Sequence, residues 1–246
     1  MNALDFTGKT VLVVGGSGGI GNAVAQAFRV HGATVHVWGT RASASNYTSD
    51  EYTDLTGLQY AHVDVSDFDA LEAYQPPFDA LDVLVTCQGL VLYGRQEFQI
   101  STFRKVVDVN LTSVMACCMK FEPMLKKRPG GCAVIFGSLA GIHTSLGNPA
   151  YSASKAATHQ LVRTLGETWC KHGLRINGIA PGLVATRMTE IATKVPERLS
   201  AQLNLIPMRR VGKPSEMAGP ALFLASDLAS YMTGQILLVD GGRRLP

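Results

Sequence analysis

Lys9-Thr10-Val11-Leu12-Val13-Val14-Gly15-Gly16-Ser17-Gly18-Gly19-Ile20-Gly21-Asn22-Ala23-Val24-Ala25-Gln26-Ala27-Phe28 reads as a strand, a glycine turn and a helix in one run. The β-branched, apolar stretch up to Val14 has the composition of a parallel strand buried on both faces. Asn22 to Phe28 reads as the helix. Between them the glycines allow a tight turn and let the backbone approach a pyrophosphate, whose charge suits the positive end of a helix. Gly16, Gly18 and Gly21 also spell Gly-x-Gly-x-x-Gly. A bare glycine pattern is common, and a flexible surface loop is its competing reading. The strand before it and the helix after it give the pattern its meaning.

Working outward, apolar strands alternate with helical segments along the whole chain. Val35–Trp38, Leu58–Val63, Val83–Val85, Cys132–Phe136, Arg175–Ile179 and Ile236–Val239 read as further strands. Phe103 to Met124 reads as one long helical region. The pattern predicts an α/β protein: a Rossmann-like, doubly wound parallel sheet, three-layer, in a single domain over residues 1–246. Ligands in such sheets bind beyond the carboxyl ends of the strands. The stretch from Ala42 to Pro77 is short, so helices around the third strand should be reduced. Residues 187–206 break the rhythm and read as a substrate lid, with a plain surface helix pair as the alternative.

A second cluster lies at Tyr151-Ser152-Ala153-Ser154-Lys155, with Ser138 thirteen residues earlier. Residues four apart on a helix share a face, which would set Lys155 beneath Tyr151. A nearby ammonium stabilises a phenolate and lowers the tyrosine from its ordinary value of about 10. Asn148 is a candidate N-cap and Pro149 suits the first helical position. Tyr151 would then stand in the first turn, where the helix dipole also favours a phenolate. Alone, such a pair is more often a surface Tyr and Lys on an amphipathic helix.

Together these motifs resemble the short-chain dehydrogenase/reductase family, in its simple single-domain branch. The resemblance is carried by Gly15-x-x-x-Gly19-x-Gly21, Asp64-Val65, Asn110 in Val109-Asn110-Leu111, Ser138, Tyr151-x-x-x-Lys155, Pro181-Gly182, Met232-Thr233-Gly234-Gln235 and Val239-Asp240-Gly241-Gly242. It implies an NAD(P)(H)-dependent oxidoreductase interconverting a carbonyl and a secondary alcohol by hydride transfer. Tyr151 would be the acid/base, and Ser138 would orient the carbonyl oxygen. Lys155 would bind nicotinamide-ribose hydroxyls and lower the Tyr151 pKa, and Asn110 would help hold a water joining Lys155 to solvent. Coenzyme contacts would come from Gly15, Ser17, Gly18, Gly19, Ile20, Gly21, Gly39, Thr40, Arg41, Asp64, Val65, Gln88, Gly89, Tyr151, Lys155, Pro181, Gly182, Val184 and Thr186. A homotetramer is the family expectation. Apolar content on more than one face of Ser113–Met119 and Ala156–Trp169 agrees with burial on both sides.

Two departures stand out. Val14 replaces the threonine common before the first glycine, and Thr86-Cys87-Gln88-Gly89 stands where the family usually has Asn-Asn-Ala-Gly. These leave a cofactor-binding regulator with little turnover as the alternative, since fold alone does not guarantee activity. NADP(H) is expected over NAD(H), which stays the second choice. A NAD site commonly places an acid roughly 20 residues beyond the glycine loop. Trp38-Gly39-Thr40-Arg41-Ala42-Ser43 has none there. Gly39 would leave room for a 2′-phosphate and Arg41 could pair with it. Against this, Gly18 occupies a loop position where many NADP-preferring relatives carry a base.

Composition narrows the partners. The chain has 246 residues, 46% hydrophobic and 17% charged, with a net charge of +3. Arg209-Arg210 and Arg243-Arg244 are short solvated pairs, so no nucleic-acid partner is expected. No stretch reaches the roughly 20 apolar residues of a membrane span, and no signal peptide is evident. Five cysteines without Cys-x-x-Cys spacing and six histidines without ligand spacing predict neither disulfides nor a metal site. The expected setting is cytoplasmic, with reduced thiols. His143 and His159 read as ordinary surface or substrate-loop residues. The substrate is a small carbonyl or alcohol of unspecified class.

Overall fold

The computed structural model describes residues 3–48, 50 and 52–245. Strand β1 (Thr10–Val14) is followed by helix α1 (Gly19–Val30), β2 (Thr34–Gly39), β3 (Gln59–His62), α2 (Phe68–Ala73) and β4 (Val83–Thr86). Then come α3 (Ile100–Val107), α4 (Ser113–Leu125), β5 (Cys132–Phe136), α5 (Pro149–Cys170) and β6 (Arg175–Pro181). The chain ends with α6 (Glu190–Thr193), α7 (Pro196–Asn204), α8 (Ala218–Ala225) and β7 (Ile236–Val239). All seven strands form one sheet in the order β3-β2-β1-β4-β5-β6-β7, every pairing parallel. The expected doubly wound sheet is present.

Alternation along β1 explains the three layers. Val11 and Val13 face a core shared with Val24 and Phe28 of α1 and Leu222 of α8. Leu12 and Val14 face the opposite core, with Val114 and Phe121 of α4 and Val162 and Leu165 of α5. Successive strand residues point to opposite faces, so a strand apolar at every position must be covered twice. After β3 the chain returns to place β4 beside β1. That reversal of winding leaves a crevice beyond the carboxyl ends of β1 and β4.

Three local readings are corrected. The third strand is shorter than expected, at Gln59–His62, with Leu58 and Val63 just outside it, although Val63 N still donates to Gly39 O of β2. The helical region expected from Phe103 is not uniform: a π turn at Asp108–Thr112 separates α3 from α4. Asn148 does precede α5, and Pro149 is its first residue, but the Asn148 side chain makes no capping bond. It donates instead to Leu92 O and Glu97 Oε1. Glu97 supplies the cap: its Oε2 accepts from Tyr151 N at 3.0 Å. The reduced helices around β3 are as expected, with a short 3-10 turn at Ala44–Asn46 and a six-residue α2.

Among the described residues no helix is long and apolar enough to cross a membrane. None of their His, Cys, Asp and Glu side chains form a group of three or more able to hold a metal. The five cysteines are free.

Candidate active site

The crevice is a cavity of about 540 Å³, within the range of small-ligand sites. Its floor is the glycine turn. Gly15 has φ +75°, and a Cβ there would meet Gln88 N at 2.8 Å. A Cβ on Gly21 would stand 2.3 Å from Gly15 O, so α1 packs against the turn only because position 21 is bare. The resulting cradle brings backbone and a helix N-terminus to one spot, which suits a pyrophosphate. Of the anticipated coenzyme residues, all but Arg41 line the cavity.

Arg41 folds back on its own loop. Its guanidinium lies 4.6 Å from the Tyr47 ring centroid and donates to Asn46 O. The room expected at Gly39 is likewise taken: a Cβ there would meet Tyr47 Oη at 2.5 Å and Ser17 Oγ at 2.6 Å. A side chain at position 39 would have to displace Tyr47 and Ser17. Asp64 turns inward on Ser66, whose N and Oγ both donate to Oδ1 and hold the carboxyl below its usual range. Gln88 Nε2 donates to Ser113 Oγ at 3.0 Å, while its buried Oε1 has no protein partner. An orphaned acceptor on the cavity wall and a glycine cradle both fit a dinucleotide coenzyme. Ser17, Gly18, Gly19, Ile20, Thr40, Asp64 and Gln88 are placed to hold it.

The other half of the cavity gathers Ser138, Tyr151 and Lys155. Ser138 follows β5, and its hydroxyl accepts from Ala140 N at 3.1 Å on the cavity wall it shares with Tyr151. Burial pushes the Tyr151 phenol up, and the Ser138 hydroxyl opposes it only in part. The expected lowering by Lys155 is not what the structure shows. Lys155 Nζ donates to Phe136 O at 2.9 Å and sits 6.0 Å from the Tyr151 ring centroid. Its own burial lowers it to about 8. Asn110 is fully buried behind the cavity, in the π turn. Its side chain exchanges two bonds with the Leu90 backbone and donates to Ser154 Oγ, while its carbonyl accepts from Thr158 Oγ1.

His159, read as surface or loop, is buried. Its Nε2 accepts from Ser138 N at 3.3 Å, and burial, with help from Lys155 and Arg163, lowers it to about 4. A neutral ring with an accepting Nε2 carries its proton on Nδ1. His143 stays in the loop after β5, its Nδ1 3.1 Å from Thr144 O.

The family model described as enoyl-(acyl carrier protein) reductase matches residues 14–244. The chain belongs to the short-chain dehydrogenase/reductase family. It is 36% identical to the galactitol 2-dehydrogenase (L-tagatose-forming) of Cereibacter sphaeroides, over 96% of this chain and 94% of that protein. It is 37% identical to the 3-oxoacyl-[acyl-carrier-protein] reductase FabG of Chlamydia muridarum, over 98% and 99%. The RhlG/NADP active-site complex of Pseudomonas aeruginosa superposes with a TM-score of 0.85 at 32% identity, covering all of both chains. This short-chain dehydrogenase/reductase is an NAD(P)(H)-dependent oxidoreductase that interconverts a carbonyl and a secondary alcohol. The relatives are named for oxidoreductase activities, so the reading as a regulator without turnover finds no support. NADP(H) fits a strand end that carries no acid, and similar solved structures hold NADP.

Ser66, Lys105 and Phe136 line the cavity without being marked in the sequence. Cys87, Leu90, Val109 and Gly137 stood in or beside quoted motifs, and Arg187, Met188 and Thr189 stood in the lid segment, without being named as contacts.

Proposed function

We propose that Tyr151 is the proton donor to the carbonyl oxygen in reduction and the proton acceptor in oxidation. The observation that carries this is that Ser138, Tyr151 and Lys155 line the coenzyme cavity together. The coenzyme, when bound, supplies or takes the hydride. Ser138 then orients the substrate oxygen beside the phenol. Lys155 turns from Phe136 O to ribose hydroxyls, where its charge favours phenolate. Asn110 fixes the Leu90 loop and helps hold a water joining Lys155 to solvent. Residues 187–206 act as the substrate lid, anchored where Tyr93 Oη donates to Met188 O at 3.0 Å.

The relatives include a polyol dehydrogenase and an acyl-thioester reductase, so the substrate panel should hold sugar-derived ketones, polyols and 3-oxoacyl thioesters. The finer assembly reading is a homotetramer, supported by the exposed Met119 on α4. Five free thiols suit a reducing cytoplasm. The decisive variant is Tyr151→Phe, which removes only the phenolic oxygen. Turnover should fall by about 10²- to 10⁴-fold, the usual contribution of general acid–base catalysis, with coenzyme affinity unchanged. Near-wild-type turnover on the best substrate would remove Tyr151 from the role.

A further inference from the structure

Arg187 lies at the start of the lid segment, yet its guanidinium reaches the glycine turn at the far side of the cavity. Its Nη1 is 3.9 Å from the point where a Cβ on Gly18 would stand, and both residues line the same cavity. Its Nη2 pairs with Asp50 Oδ2. The segment around Asp50 is tied to the other flank of the turn. Gly19 N donates to Tyr52 O at 2.7 Å, and Asn22 exchanges bonds of 2.8 and 2.9 Å with the Asp54 backbone. The Asp50–Arg187 pair thus joins the lid segment to the stretch that flanks the turn.

That pair contributes little to stability. The two side chains are 38% and 43% exposed, and ion pairs so open to water are weak. Its position matters more. A guanidinium is always charged and presents a planar fork that matches phosphate oxygens two at a time. Here it is held beside the glycine turn and the N-terminus of α1, whose dipole favours an anion even though the Gly19 amide is engaged by Tyr52 O. A second polar group lies near the Gly18 point, although it does not line the cavity. Thr53 is 2% exposed, its Oγ1 has no protein partner among the described residues, and it lies 3.5 Å from the Gly18 point.

We propose that Arg187 clamps the coenzyme pyrophosphate against the glycine turn, and that Asp50 is the competitor it leaves to do so. This rests on the coenzyme reading of the cavity. In the free protein Asp50 holds the fork in place and neutralises it. When a pyrophosphate enters, the fork exchanges a carboxylate for a more highly charged partner. When it leaves, Asp50 takes the fork back and eases release.

Direct titration of the whole protein with NADPH and with NADH tests this, using Arg187→Gln, Arg187→Lys and Asp50→Asn. The pyrophosphate is common to both coenzymes, so Arg187→Gln should weaken both by a similar factor, roughly 10- to 100-fold. Arg187→Lys should restore part of the loss, as a point charge without the fork. Asp50→Asn should tighten both coenzymes and slow their release in stopped-flow. A loss confined to NADPH would place Arg187 on the 2′-phosphate and overturn the assignment. Unchanged affinities in Arg187→Gln would do the same. If Asp50→Asn weakens binding as much as Arg187→Gln, the pair is only a structural latch. Failure of the wild-type protein to bind either coenzyme would instead overturn the reading of the cavity itself.

Discussion

Tyr47 and His159 show how much of the chemistry depends on single residues that carry no motif. Tyr47 Oη fills the space over Gly39 and accepts from Arg41 N at 3.4 Å. Arg41 is therefore engaged with its own loop, outside the cavity lining. NADPH should bind more tightly than NADH, and Arg41→Ala should narrow the gap; equal affinities in the wild-type protein would show the strand end to be indifferent to the 2′-phosphate. His159 makes a different, thermodynamic prediction. Its folded value of about 4 lies below its ordinary 6.5, so between those values the unfolded chain binds more protons. Stability due to neutral His159 is complete above pH 6.5 and is lost as pH falls towards 4. Each factor of ten in proton affinity is worth about 1.4 kcal/mol, and water at the cavity edge screens part of it, so the loss stays below about 3 kcal/mol. His159→Gln keeps an acceptor for Ser138 N without a titrating ring, so thermal unfolding followed against pH should lose that acid-side slope.

At the level of elements, the helix that carries Tyr151 is held from outside itself. Glu97 is 1% exposed and accepts from Leu92 N, Asn148 Nδ2 and Tyr151 N. One buried carboxylate therefore ties the loop after β4 to the first turn of α5, where the helix dipole favours negative charge. Glu97→Ala would leave three donors without their acceptor. Hydrogen bonds to a charged group are worth about 1.5–3 kcal/mol, so unfolding should cost less by an amount in that range and the melting midpoint should drop. Turnover should fall too, because Tyr151 stands on the loosened turn. A variant with unchanged melting and turnover would show that the cap is redundant. The π turn at Asp108–Thr112 plays a comparable part for Asn110. Such turns recur at functional sites because they re-aim side chains within a continuing helix. Periodicity alone reads such a stretch as one helix, since the apolar residues keep appearing on both sides of the extra residue.

For the molecule as a whole, the exposed Met119 on α4 is the visible remainder of the all-round apolarity read in Ser113–Met119. Val114, Cys117 and Cys118 are consumed by the core of the subunit, while Met119 is 61% exposed. Large apolar side chains left in water mark association surfaces when they cluster with others. Light scattering should report a tetramer, and Met119→Glu should shift it towards smaller species without changing the melting of the subunit core. A concentration-independent monomer in the wild-type protein would assign the apolar faces to internal packing alone.

The parallel sheet and the order of its elements were determined locally. A strand apolar at every position, a glycine turn and an amphipathic helix have few ways to bury themselves, and repetition of that unit imposes a doubly wound sheet. The proximity of the candidate catalytic residues was legible for the same reason: Tyr151 and Lys155 are four apart on one helix, and Ser138 follows the neighbouring strand. What sequence could not supply were relations between distant segments. Arg187 beside Gly18, Tyr47 over Gly39, His159 behind Ser138 and Glu97 beneath Tyr151 each join elements that meet only when the layers close. Ionisation belongs to the same class. Lys155 is brought down to about 8 and the Tyr151 phenol is pushed up because the closed fold removes water from both. Desolvation is a property of everything that surrounds a group, and no single stretch of chain contains it.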